Sequence, residues 1–394
     1  MKISIKNNIS YSDIENNYEL LNKYPNADLY IPADLKGKQL GVYTEIIQLI
    51  ITWSRVSRGK LYVNYDKDSS DLDDKIDRMF NRYWNFVAGC MGYKNGIYLN
   101  DETNISMKVA NVIKERIEFL NINRNWQKGS NSFISAIQHS SKPFPSAFYY
   151  SDGNLKSKKQ VIELTKDILI DVSKAYSKST STTVIEYYQS LIGEILFELM
   201  ENTHFWSQTN YDNKTFETGI RGVLISSHHG DKEELLKNCK DDKSLSEYFN
   251  NLITNDEVEN YVIELSIFDS GSGLASRWLQ KDISEFSSNE EIYDAIIDCL
   301  IRENTSDKSS NYERGFGLYN MMKLLDLRGG YLKLRTNGVK LIRDFNKNPF
   351  DTNKSKNKEE YKLDYWRNVQ KQSMPNYKTE GTMFSIFLPT TKIN

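Results

Sequence analysis

The stretch Val262-Ile263-Glu264-Leu265-Ser266-Ile267-Phe268-Asp269-Ser270-Gly271-Ser272-Gly273 decides how this chain is read. An apolar run of strand character, starting at Tyr261, ends on an acid, and two glycines follow at once. A strand of this kind delivers Asp269 to the end of a sheet. The glycines then permit a sharp turn and close backbone approach to a ligand. Asp, Ser and Gly are also the commonest turn residues, so the segment alone is equally an ordinary turn.

Three further segments give it context. Upstream, Glu198-Leu199-Met200-Glu201-Asn202 lies in a helical pattern from Thr183 to Trp206, with apolar positions at Ile185, Leu191, Ile195, Leu196 and Leu199. Glu198 and Asn202 are four apart, so both side chains share one helical face, where a carboxylate and an amide can hold a water and a metal ion. Alone, such a pair is a solvated face. Downstream, Glu313-Arg314-Gly315-Phe316-Gly317-Leu318 opens an apolar helix, YNMMKLLDL. Glycines at a helix N-terminus expose N–H groups at the positive end of the dipole, which suits a phosphate. Gly381-Thr382 precedes the last strand, Met383 to Leu388.

Around these segments the pattern predicts an α+β chain in two parts. Residues 1–150 read as a smaller α/β module of unknown role. It has strands at Asp28 to Pro32, Leu61 to Tyr65 and Gly96 to Asn100, and helices over Val42 to Arg58, Asp74 to Met91 and Ser106 to Leu120. The stretch 121–155 is polar and reads as the irregular boundary. Residues 151–394 form the second part, a two-layer α/β sandwich with a mixed sheet under helices. It begins with a helix at Lys156 to Ser177 and has strands at Arg221 to Ser226 and Tyr261 to Phe268. A hairpin turns at Asn337-Gly338, the strongest short-range hairpin signal. Residues 232–256 and 345–379 are charged and read as loose insertions, the second disordered in part. Gly37-Lys38-Gln39-Leu40-Gly41 is not a phosphate loop, because no Ser or Thr follows the Lys and the glycine spacing is wrong.

Composition narrows the class. With 51 basic and 53 acidic residues in 394, the formal charge is −2, so no global basic excess supports nucleic-acid binding. Three cysteines, Cys90, Cys239 and Cys299, have neither metal-ligand spacing nor the numbers for a disulfide framework, which fits a reducing compartment. No apolar run is long enough for a membrane span or a secretory signal, so a cytoplasmic protein without membrane contact is expected.

In order and spacing, ELMEN, DSGSG, RGFGL and GT resemble the N, G1 and G2 boxes and the last motif of the GHKL superfamily of ATP-binding domains (Bergerat fold), which includes gyrase, heat-shock chaperones, histidine kinases and mismatch-repair MutL proteins. The likeness covers roughly residues 156–394, about three-fifths of the chain. The resemblance implies ATP and Mg²⁺ as cofactors. Asp269 would accept a hydrogen bond from the adenine amine, supported by Thr382. Asn202 would coordinate Mg²⁺. Gly271 and Gly273 would bend around the nucleotide, and Gly315, Gly317 and Leu318 would lie against the phosphates. Residues 274–314 would form the ATP lid, with Thr305, Ser306 and Lys308 touching the terminal phosphates. Glu198 would activate the attacking water, as in the hydrolytic branch of the family.

Two departures qualify the resemblance. The chain runs only from 383 to 394 past Thr382, so the transducer domain that supplies a Lys to the γ-phosphate in two branches is not expected. None of His139, His204, His228 and His229 sits at an acceptor-like helix start, which disfavours histidine autophosphorylation. His228-His229 as a metal pair lacks a third ligand at useful spacing. The expected function is a slow Mg-dependent ATPase acting as a conformational switch for a protein partner, a homodimer mate or the N-terminal module. The alternatives are a protein kinase of the anti-sigma or histidine-kinase-like type acting on a separate substrate, and a non-catalytic ATP-sensing module.

Overall fold

Short alternating runs at the start of the chain make four strands, each returned by helix. In order these are β1 (Lys2–Ser4), α1 (Tyr11–Lys23), β2 (Asp28–Pro32), α2 (Val42–Val56), β3 (Leu61–Asn64), α3 (Leu72–Phe80), α4 (Tyr83–Gly92), β4 (Ile97–Leu99) and α5 (Ser106–Ile122). The strands pair in parallel in the order β1-β2-β3-β4. Ser10 opens α1 with a capping box, its hydroxyl accepting from the Asp13 N–H while the Asp13 carboxylate accepts from the Ser10 N–H. The single helix expected over 74–91 is two, α3 and α4, broken at Asn81-Arg82, and β1 adds an edge strand that its three residues hardly announce. The computed structural model describes every residue except 37–38, 65–70, 124–125, 139–143, 175–177, 254–259, 305–314, 367–376 and 390–394. Gly37, Lys38 and His139 lie outside the described residues.

The rest of the chain builds an eight-stranded sheet. Its elements are β5 (Trp126–Lys128), β6 (Asn131–Gln138), α6 (Lys158–Val172), α7 (Lys178–Trp206), β7 (Gly219–Gly230), α8 (Lys232–Asn238), α9 (Lys243–Leu252), β8 (Asn260–Asp269), α10 (Leu274–Leu279), α11 (Asn289–Leu300), α12 (Gly317–Asp326), β9 (Tyr331–Thr336), β10 (Val339–Asp344), β11 (Asp364–Tyr365) and β12 (Thr382–Pro389). The strand order is β11-β10-β9-β12-β8-β7-β6-β5. Every pair is antiparallel, so the expected mixed sheet is corrected. Hairpin neighbours and helical excursions both return the chain in the opposite sense. The stretch 121–155, expected to be irregular, contributes β5 and β6 at one edge of this sheet. The turn at Asn337-Gly338 is present, with φ of 49° and 87°.

One face of the large sheet carries Ile263, Leu265, Ile267, Leu332, Leu334 and Ile386, packed with α6, α7, α11 and α12 in one core. The other face is covered too. Leu224, Val262, Phe268, Met383 and Phe387 share a core with Ile46, Ile50 and Trp53 of α2 and the small parallel sheet. Helix α2 is therefore buried nearly all round, and even Thr44, Glu45, Gln48, Thr52 and Ser54 are hidden from solvent.

The insertions are ordered where they are described. Leu235, Leu245, Tyr248 and Phe249 bury α8 and α9, and Phe350, Tyr361, Leu363 and Trp366 anchor the second excursion. Asp242, the N-cap of α9, receives Lys333 Nζ at 2.6 Å and Trp366 Nε1 at 2.9 Å. Beside it, Arg335 Nε meets Glu45 at 2.8 Å, Lys340 Nζ lies 2.8 Å from the same carboxylate, and Arg335 also bonds Glu15. Three acids thus face three bases inside the protein, and the charge closes. Buried ion groups are costly to desolvate and strict about geometry. Here they register α1 and α2 against the β9–β10 hairpin.

Candidate functional site

Asp269 ends β8, where the register sets it between Arg221 of β7 and Thr382 of β12. The Gly271 N–H donates to its Oδ1 at 2.8 Å. Burial pushes the carboxyl up to about 6, against the pull of the Gly271 and Thr382 backbone N–H groups and the Arg221 charge. Arg221 is itself wholly buried and donates from Nε to the Tyr149 hydroxyl at 2.8 Å. The Thr382 hydroxyl lies 3.3 Å from that of Thr336. The glycine before it is obligatory. Gly381 has φ of 77°, and a Cβ there would stand 1.9 Å from the Asp269 carbonyl oxygen.

The second end of the site is built by two helices. On α7, Leu199 and Met200 point into the core, which turns Glu198 and Asn202 the other way, toward the start of α12. A Cβ on Gly317 would lie 3.0 Å from Glu198 Oε2 and 3.4 Å from Asn202 Nδ2. Phe316 stands at the N-cap of α12, where its ring cannot accept a hydrogen bond, and among the described residues no side chain caps the helix start that faces Glu198 and Asn202. Glu198 is engaged on its other oxygen, with Lys158 Nζ of α6 and Asn320 Nδ2 of α12 each 3.3 Å from Oε1. Lys158 also pairs with Glu194 at 3.0 Å.

Glu198, Asn202, Asp269, Gly271, Gly273, Gly315, Gly317, Leu318 and Thr382 all line one cleft. Its volume is about 130 Å³, and it opens to solvent. Thr305, Ser306 and Lys308 lie outside the described residues. Of the stretch expected as a lid, α10 and α11 are packed helices, with Ala275, Ile296 and Leu300 in the core.

Several lining residues had no signal in the sequence. Trp206, Trp278 and Phe205 give the cleft aromatic walls. The Arg277 guanidinium stands 4.7 Å over the Trp206 ring and donates to Asn213 Oδ1 at 2.7 Å. Asn337, read only as a turn residue, also ties down the Asp269 turn. Its Oδ1 accepts from the Ala275 N–H, and its Nδ2 donates to the Ser272 carbonyl, each at 2.9 Å.

Two of the histidines have other surroundings. Burial and the nearby Arg221 push His204 down to about 4, so its ring is neutral at pH 7. His228 Nε2 lies 2.9 Å from Glu264. Among the described residues, no group of three or more His, Cys, Asp or Glu side chains could hold a metal, and no helix is long and apolar enough to cross a membrane. The chain is matched by no family model, no curated protein and no solved structure.

Proposed function

We propose that this chain is a Mg-dependent ATP-binding protein of the GHKL type that hydrolyses ATP slowly and uses the cycle as a switch for a protein partner, a second copy or its own N-terminal part. One observation carries the reading: four segments far apart in sequence, 198–202, 269–273, 315–318 and 382, line a single cleft. An acid at one end, a helix N-terminus at the other and aromatic walls between them suit a purine nucleoside triphosphate. Asp269 accepts from the adenine amine, backed by Thr382. The N-terminus of α12, at Gly315, Gly317 and Leu318, receives the phosphates. Asn202 fits Mg²⁺, an ion that takes few protein ligands and is otherwise held by phosphate and water; bound there, it would neutralise phosphate charge. Glu198 stands where a carboxylate can orient and deprotonate a water. A cytoplasmic location, where ATP and Mg²⁺ abound, belongs to this reading.

The test is Glu198→Ala. Phosphate release should fall about 100-fold or more while ATP affinity changes little, since general-base help contributes roughly 10²–10⁴-fold. Unchanged hydrolysis would remove Glu198 from the mechanism. The contact of Glu198 with Lys158 and Asn320 favours a second reading, phosphoryl transfer to a separate protein, because an engaged carboxylate is a poorer base toward water. Incubation with γ-labelled ATP and lysate separates the two: label on a protein supports transfer, free phosphate supports hydrolysis.

A further inference from the structure

We propose that Arg55, carried by α2 of the N-terminal part, is a positioning residue for the base end of the cleft. The inference rests on the nucleotide reading above and adds to it a residue from outside the segments that line the site.

Helix α2 presents a polar stripe to the back of the large sheet. Thr44, Gln48, Thr52 and Arg55 recur at helical spacing, so they share one face. From the N-terminal end, the Gly41 N–H donates to Glu264 at 3.0 Å, and the Thr44 hydroxyl lies within 3.4 Å of those of Ser266 and Ser385. Gln48 donates to the Glu380 carbonyl, and the Thr52 hydroxyl accepts from the Glu380 N–H at 3.1 Å. At the far end, Arg55 Nη2 donates to the Thr218 carbonyl at 2.7 Å and the Ser270 carbonyl at 3.1 Å, while its guanidinium covers the Phe216 ring at 3.9 Å.

These contacts converge on Asp269 from both sides. Ser270 is the next residue, fully buried, and its hydroxyl accepts from the Ile220 N–H at 2.8 Å. Glu380 precedes Gly381, whose close approach to the Asp269 carbonyl leaves no slack. The helix therefore holds the turn after β8 and the entry to β12, the two backbones that aim the carboxylate. Charge-assisted bonds from one guanidinium to two carbonyls fix geometry well. None of the described partners of Arg55 touches Glu198, Asn202 or Gly317, so its influence is confined to the base end.

The experiment measures the Kd of Mg-ATP and, by competition against it, of Mg-tripolyphosphate, for the full chain and for Arg55→Met, with Arg55→Lys as the conservative variant. The methionine fills the space over Phe216 and removes the donors. ATP binding should weaken tenfold or more and tripolyphosphate less than twofold, and Arg55→Lys should recover part of the loss. Equal loss of both ligands would mean general loosening and overturn the proposal, as would unchanged ATP affinity. If Arg55→Met does not fold, Thr52→Val, which deprives the Glu380 N–H of its acceptor, carries the same expectation. A full-length protein that binds no ATP overturns the nucleotide reading itself, an outcome distinct from ATP binding that ignores Arg55.

Discussion

Replacing Glu45 by alanine strikes the join between the two parts of the chain. The Glu45 side chain is 1% exposed, with Arg335 Nε and Lys340 Nζ each 2.8 Å from its oxygens. In the same group Lys333 faces Asp242 and Arg335 also meets Glu15, so three positive charges balance three negative ones. The substitution leaves one buried positive charge without its counter-ion. Removing one member of a buried ion pair costs about 3–5 kcal/mol, because the remaining charge stays desolvated. That is a large part of a typical total stability of about 5–15 kcal/mol. With a urea m-value of about 3 kcal/mol/M, the midpoint should fall by about 1 M or somewhat more. The pair Glu45→Met with Lys340→Met should recover much of the loss, since apolar replacement of a buried pair is often neutral. The shared core also predicts that both parts unfold together. The neighbouring cations hold the Glu45 carboxyl well below its ordinary value. Its share of stability is therefore present above that ordinary value and lost as pH falls through the depressed one. A loss under about 1 kcal/mol, or two separate transitions in the parent protein, would refute the description of the interface.

Other outcomes follow from the site. Burial raises Asp269 to about 6, and the ionised form is the better acceptor, so adenosine affinity should fall as pH drops through about 6. A calorimetric affinity flat from pH 8 to pH 5 would remove Asp269 from base recognition; adenosine has no phosphate to titrate in this window. Gly381→Ala forces a Cβ onto the Asp269 carbonyl at positive φ, which should cost about 2–4 kcal/mol in thermal or urea melts. An unchanged melt would mean that the turn has room the structure does not show.

Much of the site was legible because its chemistry is local in sequence. Asp269 follows its own strand, Gly315 and Gly317 open their own helix, and Glu198 and Asn202 share a face through helical period alone. The Asn337-Gly338 hairpin was legible for the same reason. What stayed hidden depends on what packs against what. Thr44, Gln48, Thr52 and Arg55 form a polar stripe, which periodicity cannot distinguish from a solvated face. Here it faces the equally polar Glu264 and Ser266 of β8. Both faces of β6 are buried, so Phe133, Ile134, Ala136 and Ile137 show no alternation, and polar flanks disguise the strand. Phe350, Tyr361 and Trp366 anchor the second excursion at irregular intervals, which no periodic pattern reveals. Trp206 and Trp278 sit on different helices, and only the fold brings them to one cleft.

Asp269 carries the assignment of the cleft to ATP most directly. Titration of Mg-ATP into the full chain should give saturable binding in the calorimeter, and Asp269→Asn should weaken it about 10-fold to 150-fold or abolish it, as the loss of roughly 1.5–3 kcal/mol from a hydrogen bond to a charged acceptor requires. An Asp269→Asn protein that is folded and binds ATP as tightly as the parent would contradict the assignment of this cleft to ATP.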